Sequence, residues 1–289
     1  MKQVIGVDIG GTYIKAGIVS EKGNLIKSVQ ISTEAGKGEK IVLENIFNAI
    51  NLVFNKDISA IGVGCPGMIN LKRGVVVKSP NLPFKNLHLK KIIKNKFCLP
   101  VFLDNDARCF ALAESLYGAG KKHKTVVGLT IGTGLGGGIV IDKEIYRGKG
   151  SAGEIGHMMI NFNGPKCSCG SYGCLEEYVS ARAIMRNAKG LIAKNPLDLS
   201  ILAKNGNKKA IKVFKEAGTY LGIGISNIIN SLDPEIIVVG GKIANSWPLF
   251  RKKMEEEIKR RAVIMPCRVV RKKLSEPGII GAAAVCLKG

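Results

Sequence analysis

Four side chains of the kind that bind zinc stand near the middle of the sequence. Cys167, Cys169 and Cys174 lie in one short glycine-rich segment, and His157 precedes them. Three thiolates and one imidazole complete the tetrahedral donor set of a closed site, so we predict a structural Zn²⁺ ion. The Cys-x-Cys pair is tighter than the common Cys-x₂-Cys spacing. The alternative interpretation is therefore three reduced cysteines in a glycine-rich loop.

Two carboxylates flank these cysteines. Glu154 precedes them in the segment Glu-Ile-Gly-His, and Glu176 follows Cys174 almost directly. Carboxylates accept hydrogen bonds from hydroxyl groups, and a loop fixed by a metal holds such acceptors in a defined orientation. We therefore predict that Glu154 and Glu176 face a polyol substrate.

A further carboxylate lies in the segment Asp104-Asn105-Asp106-Ala107, where a predicted strand meets a predicted helix. Ligands of open α/β sheets bind at the carboxyl ends of the strands. One interpretation is that Asp106 caps the helix through its backbone amides. The other is that Asp106 accepts the proton of a hydroxyl group that attacks the γ-phosphate of a nucleotide, with Asn105 bound to the same substrate.

Two glycine-rich segments follow apolar strands, and both are suited to phosphate. In Asp8–Lys15 and Thr130–Gly134, glycines let backbone N–H groups approach an anion, and threonine adds a hydroxyl donor. The Asp8 carboxylate is suited to a hydrated Mg²⁺ ion on ATP. Gly240-Gly241, which follows a later predicted strand, is a third candidate, placed so that an adenine ring would lie against the backbone. The alternatives are plain β-hairpins for the first two segments and an ordinary strand-to-helix turn for Gly240-Gly241. The predicted nucleotide contacts are Asp8, Gly10, Gly11, Thr12, Lys15, Gly132, Thr133, Gly134, Gly240 and Gly241.

These segments are not the common nucleotide motifs. No Gly-Lys-Ser/Thr opens a helix after them, which excludes a Walker loop. A strand follows where a dinucleotide fingerprint requires a helix, which excludes that fingerprint as well.

Strands alternate with helices along the chain, which predicts an α/β fold. The predicted strands include Val4–Asp8, Leu25–Thr33, Ser59–Gly64, Val101–Leu103, Thr125–Ile131, Glu235–Val239 and Arg268–Leu274. The predicted helices are 40–55, Leu87–Phe97, Ala107–Tyr117, 179–194, 208–231, Leu249–Ala262 and Pro277–Leu287. Both halves open with a strand, a glycine turn and a strand, so we predict a duplicated architecture.

Length and composition limit the class of protein. The 289 residues suggest about two domains, and Gly118-Ala-Gly120 with the lysines that follow is a plausible boundary. The net charge is +22, carried by 34 lysines and only 10 arginines scattered along the chain. Because arginine is the preferred residue for bidentate contacts to nucleic acid, we interpret the charge as a lysine-rich surface rather than a nucleic-acid site.

The N-terminus enters a strand at once and carries no signal peptide, and no apolar run reaches the length of a membrane span. We therefore expect a cytoplasmic protein without a membrane partner.

Together these motifs resemble the sugar kinases of the ROK family (repressor, open reading frame, kinase), and glucokinases most of all. The resemblance covers the chain from Asp8 to the C-terminal helix. It implies a two-lobed actin-like ATPase fold, of the hexokinase and ribonuclease H type, with duplicated βββαβαβα-type domains that close over ATP and sugar. The expected domains are 1–118, completed by 277–289, and 119–276. A homo-oligomer, dimer or tetramer, is also implied.

The resemblance assigns a role to each matching residue. Asp106 is implied as the catalytic base, and His157, Cys167, Cys169 and Cys174 as the zinc ligands. His157 would serve both metal and sugar, with one ring nitrogen for each. The implied sugar contacts are Gly67, Asn81, Asn105, Asp106, Glu154, His157 and Glu176.

The expected activity is phosphorylation of a hexose at its 6-hydroxyl by ATP with Mg²⁺, with glucose as the favoured sugar. One alternative is an N-acetylhexosamine kinase of the same family, with the acetamido group near Glu154 and His157. The other is a sugar-sensing regulator, which would carry a helix-turn-helix domain ahead of the sugar domain. Because the Asp-x-Gly-Gly-Thr motif begins at Asp8, we expect no such domain.

Overall fold

A computed structural model describes residues 2–288 as strands and helices that alternate along most of the chain. The strands are β1 (Gln3–Ile9), β2 (Tyr13–Ser20), β3 (Leu25–Ser32), β4 (Ile58–Cys65), β5 (Met68–Asn70), β6 (Val75–Lys78), β7 (Lys85–Leu87), β8 (Val101–Asn105), β9 (Thr125–Ile131), β10 (Leu135–Ile141), β11 (Glu144–Ile145), β12 (Ile236–Gly240) and β13 (Arg268–Arg271). The α-helices are α1 (Glu39–Val53), α2 (Leu89–Phe97), α3 (Asp106–Leu116), α4 (Glu176–Val179), α5 (Ala181–Asn187), α6 (Pro196–Lys204), α7 (Lys208–Leu232), α8 (Trp247–Arg261) and α9 (Pro277–Lys288).

Two five-stranded sheets repeat the same arrangement. The first has the order β3-β2-β1-β4-β8, and the second has the order β11-β10-β9-β12-β13. In the first, β1 and β2 form an antiparallel hairpin, and β4 and β8 then continue the sheet in parallel. In the second, β12 pairs in parallel with both β9 and β13. The predicted duplicated α/β architecture is confirmed by these two sheets.

The chain forms two compact units. The first comprises the residues up to Lys122, Gly138–Gly153 and the residues from Lys273 onward, and the second comprises His123–Gly137 and Glu154–Lys272. In the first unit, apolar residues of β1, β2 and β4 form a core with α1, and α9 packs with Val4, Val19 and Ala60. The helix α9 thus completes the unit that contains β1.

Glycines bring α9 against the first sheet. A Cβ atom added at Gly62 would lie 1.8 Å from the carbonyl oxygen of Ala282, and one at Gly6 would lie 2.0 Å from that of Ile279. No side chain fits at such distances, so the glycines let the helix backbone lie directly on the strands.

Glycines also let helix α7 pack closely against α8 in the second unit. Added Cβ atoms at Gly218 and Gly222 would lie 2.4 Å and 2.6 Å from backbone oxygens of α8.

One predicted helix is wrong in extent. The interpretation of 179–194 as a single helix fails because α5 ends at Asn187, and Gly190 then adopts a left-handed conformation with φ of +82°. A separate helix, α6, begins after Asn195, whose side chain accepts hydrogen bonds from the backbone N–H groups of Leu197 and Asp198.

The segment between β4 and β8 also differs from the prediction. It forms a three-stranded sheet, β5-β6-β7, so that α2 begins at Leu89 rather than at Leu87.

Gly138–Gly153, which falls within the second domain expected from the sequence, packs in the first unit. An added Cβ atom at Gly138 would lie 2.9 Å from the carbonyl oxygen of Ala107, so the strand approaches α3 closely. The guanidinium of Arg147 then pairs with the buried carboxylate of Asp104 at 2.8 Å.

Within residues 2–288, every helix is too short or too polar to span a bilayer.

Candidate active site and metal centre

The turn between β1 and β2 is the first glycine-rich segment, and it is tightly closed. The backbone N–H of Gly10 donates to the carbonyl oxygen of Tyr13 at 2.9 Å, and the hydroxyl of Thr33 donates to the carbonyl oxygen of Gly10 at 2.6 Å. An added Cβ atom at Gly11 would lie 3.0 Å from the Cβ of Asn81. The structure therefore brings a predicted nucleotide contact, Gly11, beside a predicted sugar contact, Asn81.

Asp8 lies at the end of β1 among other charged groups. Burial of the carboxyl group, the charge of Asp106 and the charge of Glu276 raise its pKa to about 7, and only Lys15 opposes them. Lys15 is itself paired with Glu276 at 2.7 Å. Neighbouring carboxylates that repel one another are stabilised by a cation, and carboxylate oxygens suit Mg²⁺. The donor chemistry around Asp8 thus fits a nucleotide-bound Mg²⁺ ion.

The helix α3 is capped by Asn105 and not by Asp106. The Asn105 side-chain oxygen accepts hydrogen bonds from the backbone N–H groups of Ala107 and Arg108 at 3.0 Å and 3.2 Å. Asp106 is the first residue of the helix and is half-buried. The interpretation that Asp106 is the N-cap residue is therefore wrong, because Asn105 occupies the N-cap position.

The predicted sugar contacts of the first unit lie close together. The side-chain amide of Asn105 donates to the carbonyl oxygen of Gly67 at 3.4 Å. Gly67 has φ of +106°, and an added Cβ atom there would lie 2.7 Å from the Cα of Ser79, two residues before Asn81. Glycine is required at this position because other residues rarely adopt such a conformation.

The second glycine-rich turn, between β9 and β10, binds Glu176. One carboxylate oxygen of Glu176 accepts a hydrogen bond from the backbone N–H of Leu135 at 2.8 Å, and the other pairs with Arg182 at 3.1 Å. An added Cβ atom at Gly134 would lie 2.3 Å from the same carboxylate. At Gly132, by contrast, an added Cβ atom meets no protein atom within 4 Å. Gly134 therefore serves to position Glu176, whereas Gly132 leaves open space for a ligand.

Glu154 and His157 share one short 3₁₀ turn that follows β11. The turn spans Ile155–His157, with Glu154 as its N-cap residue. Side chains three residues apart in a 3₁₀ helix project to the same side. Both side chains are exposed, so they are able to contact a single ligand. Gly156 anchors the turn, since an added Cβ atom there would lie 2.1 Å from the carbonyl oxygen of Leu135.

The predicted zinc ligands converge in the second unit. One ligand atom from each of His157, Cys167, Cys169 and Cys174 lies within 4.8 Å of all the others. The Nδ1 atom of His157 is 3.6 Å from the Sγ of Cys167, and the Sγ atoms of Cys169 and Cys174 are also 3.6 Å apart. A tetrahedral Zn²⁺ ion with Zn–S bonds of about 2.3 Å and Zn–N bonds of about 2.0–2.1 Å separates its donor atoms by about 3.6–3.8 Å. The donors therefore fit zinc.

The loop that carries these donors is built by backbone turns. The backbone N–H of Cys167 donates to the carbonyl oxygen of Ser171 at 2.8 Å, and Gly170 between them adopts a φ of +99°. The backbone N–H of Ile160 in turn donates to the carbonyl oxygen of Gly173 at 2.9 Å. These contacts hold Cys174 beside His157, whose Nδ1 faces the cluster and whose Nε2 remains for another partner.

Gly240-Gly241 ends β12. Gly241 has φ of +84°, and an added Cβ atom would lie 2.2 Å from the carbonyl oxygen of Ile131. The close approach to β9 accounts for glycine at this position, so its contact with a nucleotide stays a prediction.

Three residues of this region were not predicted from the sequence. Glu276 pairs with Lys15, Gly278 leaves room for the Asp8 carboxylate, and Arg182 pairs with both Glu176 and Glu177. An added Cβ atom at Gly278 would lie 2.1 Å from Asp8 Oδ2.

The repeated sheets and the glycine turns at the ends of their strands define an α/β protein of the actin-like ATPase class, and solved structures share this fold. The ROK family glucokinase from Streptomyces griseus, in complex with glucose and AMPPNP, superposes with a TM-score of 0.90 at 31% identity over 99% of this chain and 100% of that chain.

Curated relatives of this chain are named for two different activities. The glucokinase of Streptomyces coelicolor is 32% identical and is matched over 98% of this chain and 97% of its own length. The xylose repressor of Caldicellulosiruptor bescii is 34% identical and is matched over 90% of this chain and 71% of its own. The ROK family model matches residues 4–288, and the chain belongs to the ROK family.

Proposed function

We propose that the protein transfers the γ-phosphoryl group of ATP to the 6-hydroxyl of a hexose, with glucose as the favoured sugar. The observation that carries the proposal is the division of roles at the start of α3. Asn105 is the N-cap residue of the helix, and the half-buried Asp106 that follows it lies close enough to Asp8 for its charge to raise the pKa of the Asp8 carboxyl group. The whole-length match to a glucokinase supports the same activity.

In the proposed reaction, Asp106 is the catalytic base. Its carboxylate accepts the proton of the sugar hydroxyl as the oxygen attacks the γ-phosphorus atom. The new bond joins the sugar oxygen to phosphorus, the bond from phosphorus to the β,γ-bridging oxygen breaks, and ADP leaves. Backbone N–H groups of the turns that contain Gly11 and Thr133 bind the phosphates, since those of Gly10 and Gly132 already donate to the carbonyl oxygens of Tyr13 and Gly134. A bound Mg²⁺ ion would neutralise phosphate charge, with Asp8 holding its water shell.

We assign sugar recognition to the residues that the sequence motifs single out. The proposed contacts to sugar hydroxyl groups are Asn81, Asn105, Glu154, Glu176, the backbone at Gly67 and the Nε2 of His157. The zinc ion would be held by His157 and the three cysteines, and it would fix the loop that carries these side chains.

A sugar panel with ATP tests the proposal. ADP release is measured with glucose, mannose, N-acetylglucosamine and N-acetylmannosamine, and with polyphosphate in place of ATP as a second donor. Glucose with ATP is expected to give the highest kcat/KM, and product analysis is expected to place phosphate on the 6-hydroxyl. A preference for an N-acetylhexosamine would replace glucose as the substrate.

The repressor relative supports a second candidate, a sugar sensor without catalysis. If the protein is a sensor, it is expected to bind sugar, and with sugar and ATP it is expected to release ADP no faster than an Asp106→Asn variant does. Turnover that depends on Asp106 contradicts that candidate.

A further inference from the structure

The first unit contains a pocket that none of the proposed nucleotide or sugar contacts lines. Its volume is about 390 Å³, within the range of ligand sites. The pocket lies at β8, the edge strand of the first sheet, and its walls come from the starts of α2 and β11 and the end of α9. The pocket is thus a separate feature of this unit.

The charged side chains that line the pocket have a net positive charge. Four cations line it, Lys72, Lys90, Arg147 and Lys288, against two carboxylates, Asp104 and Glu144. Both carboxylates are already paired. The fully buried Asp104 is held by Arg108 at 2.7 Å and by Arg147 at 2.8 Å, and Glu144 is paired with Lys288.

Two lysines account for this net positive charge. Among residues 2–288, Lys72 and Lys90 have no carboxylate within 4.0 Å. Two uncompensated ammonium groups at one pocket match a ligand with two negative charges, and lysine is a common phosphate binder. A phosphate monoester carries a charge of about −1.5 to −2 at neutral pH.

The remaining wall is apolar. Leu71, Phe102, Leu112 and Val285 line the pocket between the charged groups. The ammonium of Lys90 lies 5.8 Å from the centre of the Phe102 ring, which fixes a cation above an aromatic face. A ligand that also has an organic group buries this apolar surface, whereas inorganic phosphate does not.

We propose that this pocket binds a small organic phosphate, with its phosphoryl group between Lys72 and Lys90 and its organic group against Phe102 and Leu112. The proposal goes beyond the phosphoryl transfer proposed above, because its residues are not those assigned to ATP or sugar.

Binding of phenyl phosphate, measured by isothermal titration calorimetry, tests the proposal. The probe has no sugar ring, so it does not imitate the hexose. A Lys72→Gln/Lys90→Gln variant is expected to weaken its binding at least about tenfold, since two charge-assisted contacts are lost. The matched control, Lys91→Gln/Lys94→Gln, removes the same charge from exposed positions of α2 and is expected to leave the affinity unchanged.

Further outcomes separate this pocket from other sources of affinity. Inorganic phosphate and succinate, tested alongside, are expected to bind more weakly than phenyl phosphate. No binding of phenyl phosphate by the wild-type protein would overturn the proposal. So would equal losses in the two variant pairs, which would indicate general attraction to a basic protein, or unchanged binding in Lys72→Gln/Lys90→Gln. Thermal unfolding of each variant checks that it is folded.

Discussion

At the junction of β8 and α3, two neighbouring residues have different tasks. The Asn105 side chain accepts the hydrogen bonds of two terminal N–H groups of α3. An aspartate in its place would also cap the helix, but it would add a charge beside Asp8 and Asp106 and would lose the amide that donates to Gly67. Asparagine therefore caps the helix without adding a further negative charge beside Asp8 and Asp106.

Asp106→Asn is expected to lower kcat by about 10²–10⁴, because an amide does not accept the proton of the sugar hydroxyl. The cap of α3 is unchanged, so the thermal unfolding midpoint and ATP affinity are expected to stay near those of the wild type. Steady-state kinetics, thermal unfolding and ATP titration provide the measurements. Asp57→Asn, at an exposed site of the same unit, is the control. Turnover near the wild-type rate would contradict the role of Asp106 as the base.

Gly132→Val tests the second turn as a phosphate site. An added Cβ atom meets no protein atom within 4 Å, so the substitution is expected to change the stability little. It would occupy space that the proposal gives to phosphate, and ATP binding is expected to weaken while glucose binding is kept. Separate titrations of the folded variant with ATP and glucose measure this. An unchanged ATP affinity would exclude Gly132 as a phosphate contact.

Gly11 is a less selective test of the same idea. Its neighbour is Asn81, so a valine would press on that side chain at a distance of about 3 Å or less. We expect Gly11→Val to weaken both ATP and sugar binding.

Pattern and composition were enough to propose those site residues whose neighbours along the chain single them out. Asp8 and Gly132 follow apolar strands, and the three cysteines lie in one short segment whose side chains converge with His157 in the structure. Glu276 and Arg182 are different. Glu276 pairs with Lys15, which lies far away in the sequence, and Arg182 pairs with Glu176 across a turn that the hydrophobic pattern does not predict. A lone glutamate before a small-residue helix gives no signal of its contact with Lys15.

At the scale of elements, the loop that carries the proposed zinc ligands is held by few apolar contacts and many turns. Phe162 and Tyr172 are largely exposed, whereas Cys167 and Cys174 are buried. We therefore expect a bound metal to be needed for a fixed shape of this loop, because its apolar side chains contribute little buried surface.

Cys169→Ser is expected to lose stoichiometric zinc and to raise the KM for sugar more than the KM for ATP. The reason is that the loop positions His157 next to Glu154, whereas Gly10 and Gly11 lie in another unit. Metal analysis of protein purified without added zinc, together with kinetics, makes the measurement. Cys98→Ser removes another exposed thiol outside the cluster and serves as the control. Active wild-type enzyme without zinc would refute the site.

The contact between α9 and the first sheet gives a stability prediction. In Gly62→Ala, the new methyl group would lie 1.8 Å from the Ala282 carbonyl oxygen, so the helix or the strand must move. We expect a loss of about 1–3 kcal/mol in the free energy of unfolding. Gly36→Ala is the matched control, since an added Cβ atom there meets nothing within 4 Å. Urea denaturation of both variants provides the measurement, and equal midpoints would contradict the packing.

Elements were predictable where the hydrophobic pattern is long. The strands β1, β4, β9 and β12 are continuous apolar runs, and α9 is a run of small apolar residues. The sequence does not predict the sheet β5-β6-β7, because its strands are three or four residues long and too short to show the alternation of apolar and polar side chains that marks a strand. The sequence does not predict the helix α6, because a proline such as Pro196 is typical of a helix end. In the structure Pro196 is instead the first residue of a helix capped by Asn195.

At the scale of the whole molecule, a buried carboxylate joins distant parts of the first unit. Glu114 on α3 is fully buried, and its oxygens accept hydrogen bonds from the backbone N–H groups of Ala119, Lys273 and Leu274. The segment before α9 is thereby tied to α3. Sequence pattern does not reveal this connection, because its donors are backbone groups that every residue carries.

The charge of the molecule is carried by lysine rather than arginine. The arginines that pair with carboxylates are Arg108, Arg147, Arg182, Arg186, Arg251, Arg260 and Arg261. With these guanidinium groups engaged, most of the +22 charge resides on exposed lysines, which attract anions without geometric selectivity.

Binding to duplex DNA is therefore expected to be weak, indifferent to sequence and strongly dependent on salt. Each neutralised phosphate releases counterions, so affinity falls steeply as salt rises, and scattered lysines offer no bidentate contacts to base edges. Gel-shift assays with two unrelated duplexes over a series of salt concentrations make the measurement. Both duplexes are expected to lose binding together. Retention of one duplex at physiological salt would instead indicate a specific DNA surface, and it would favour the regulator over the kinase.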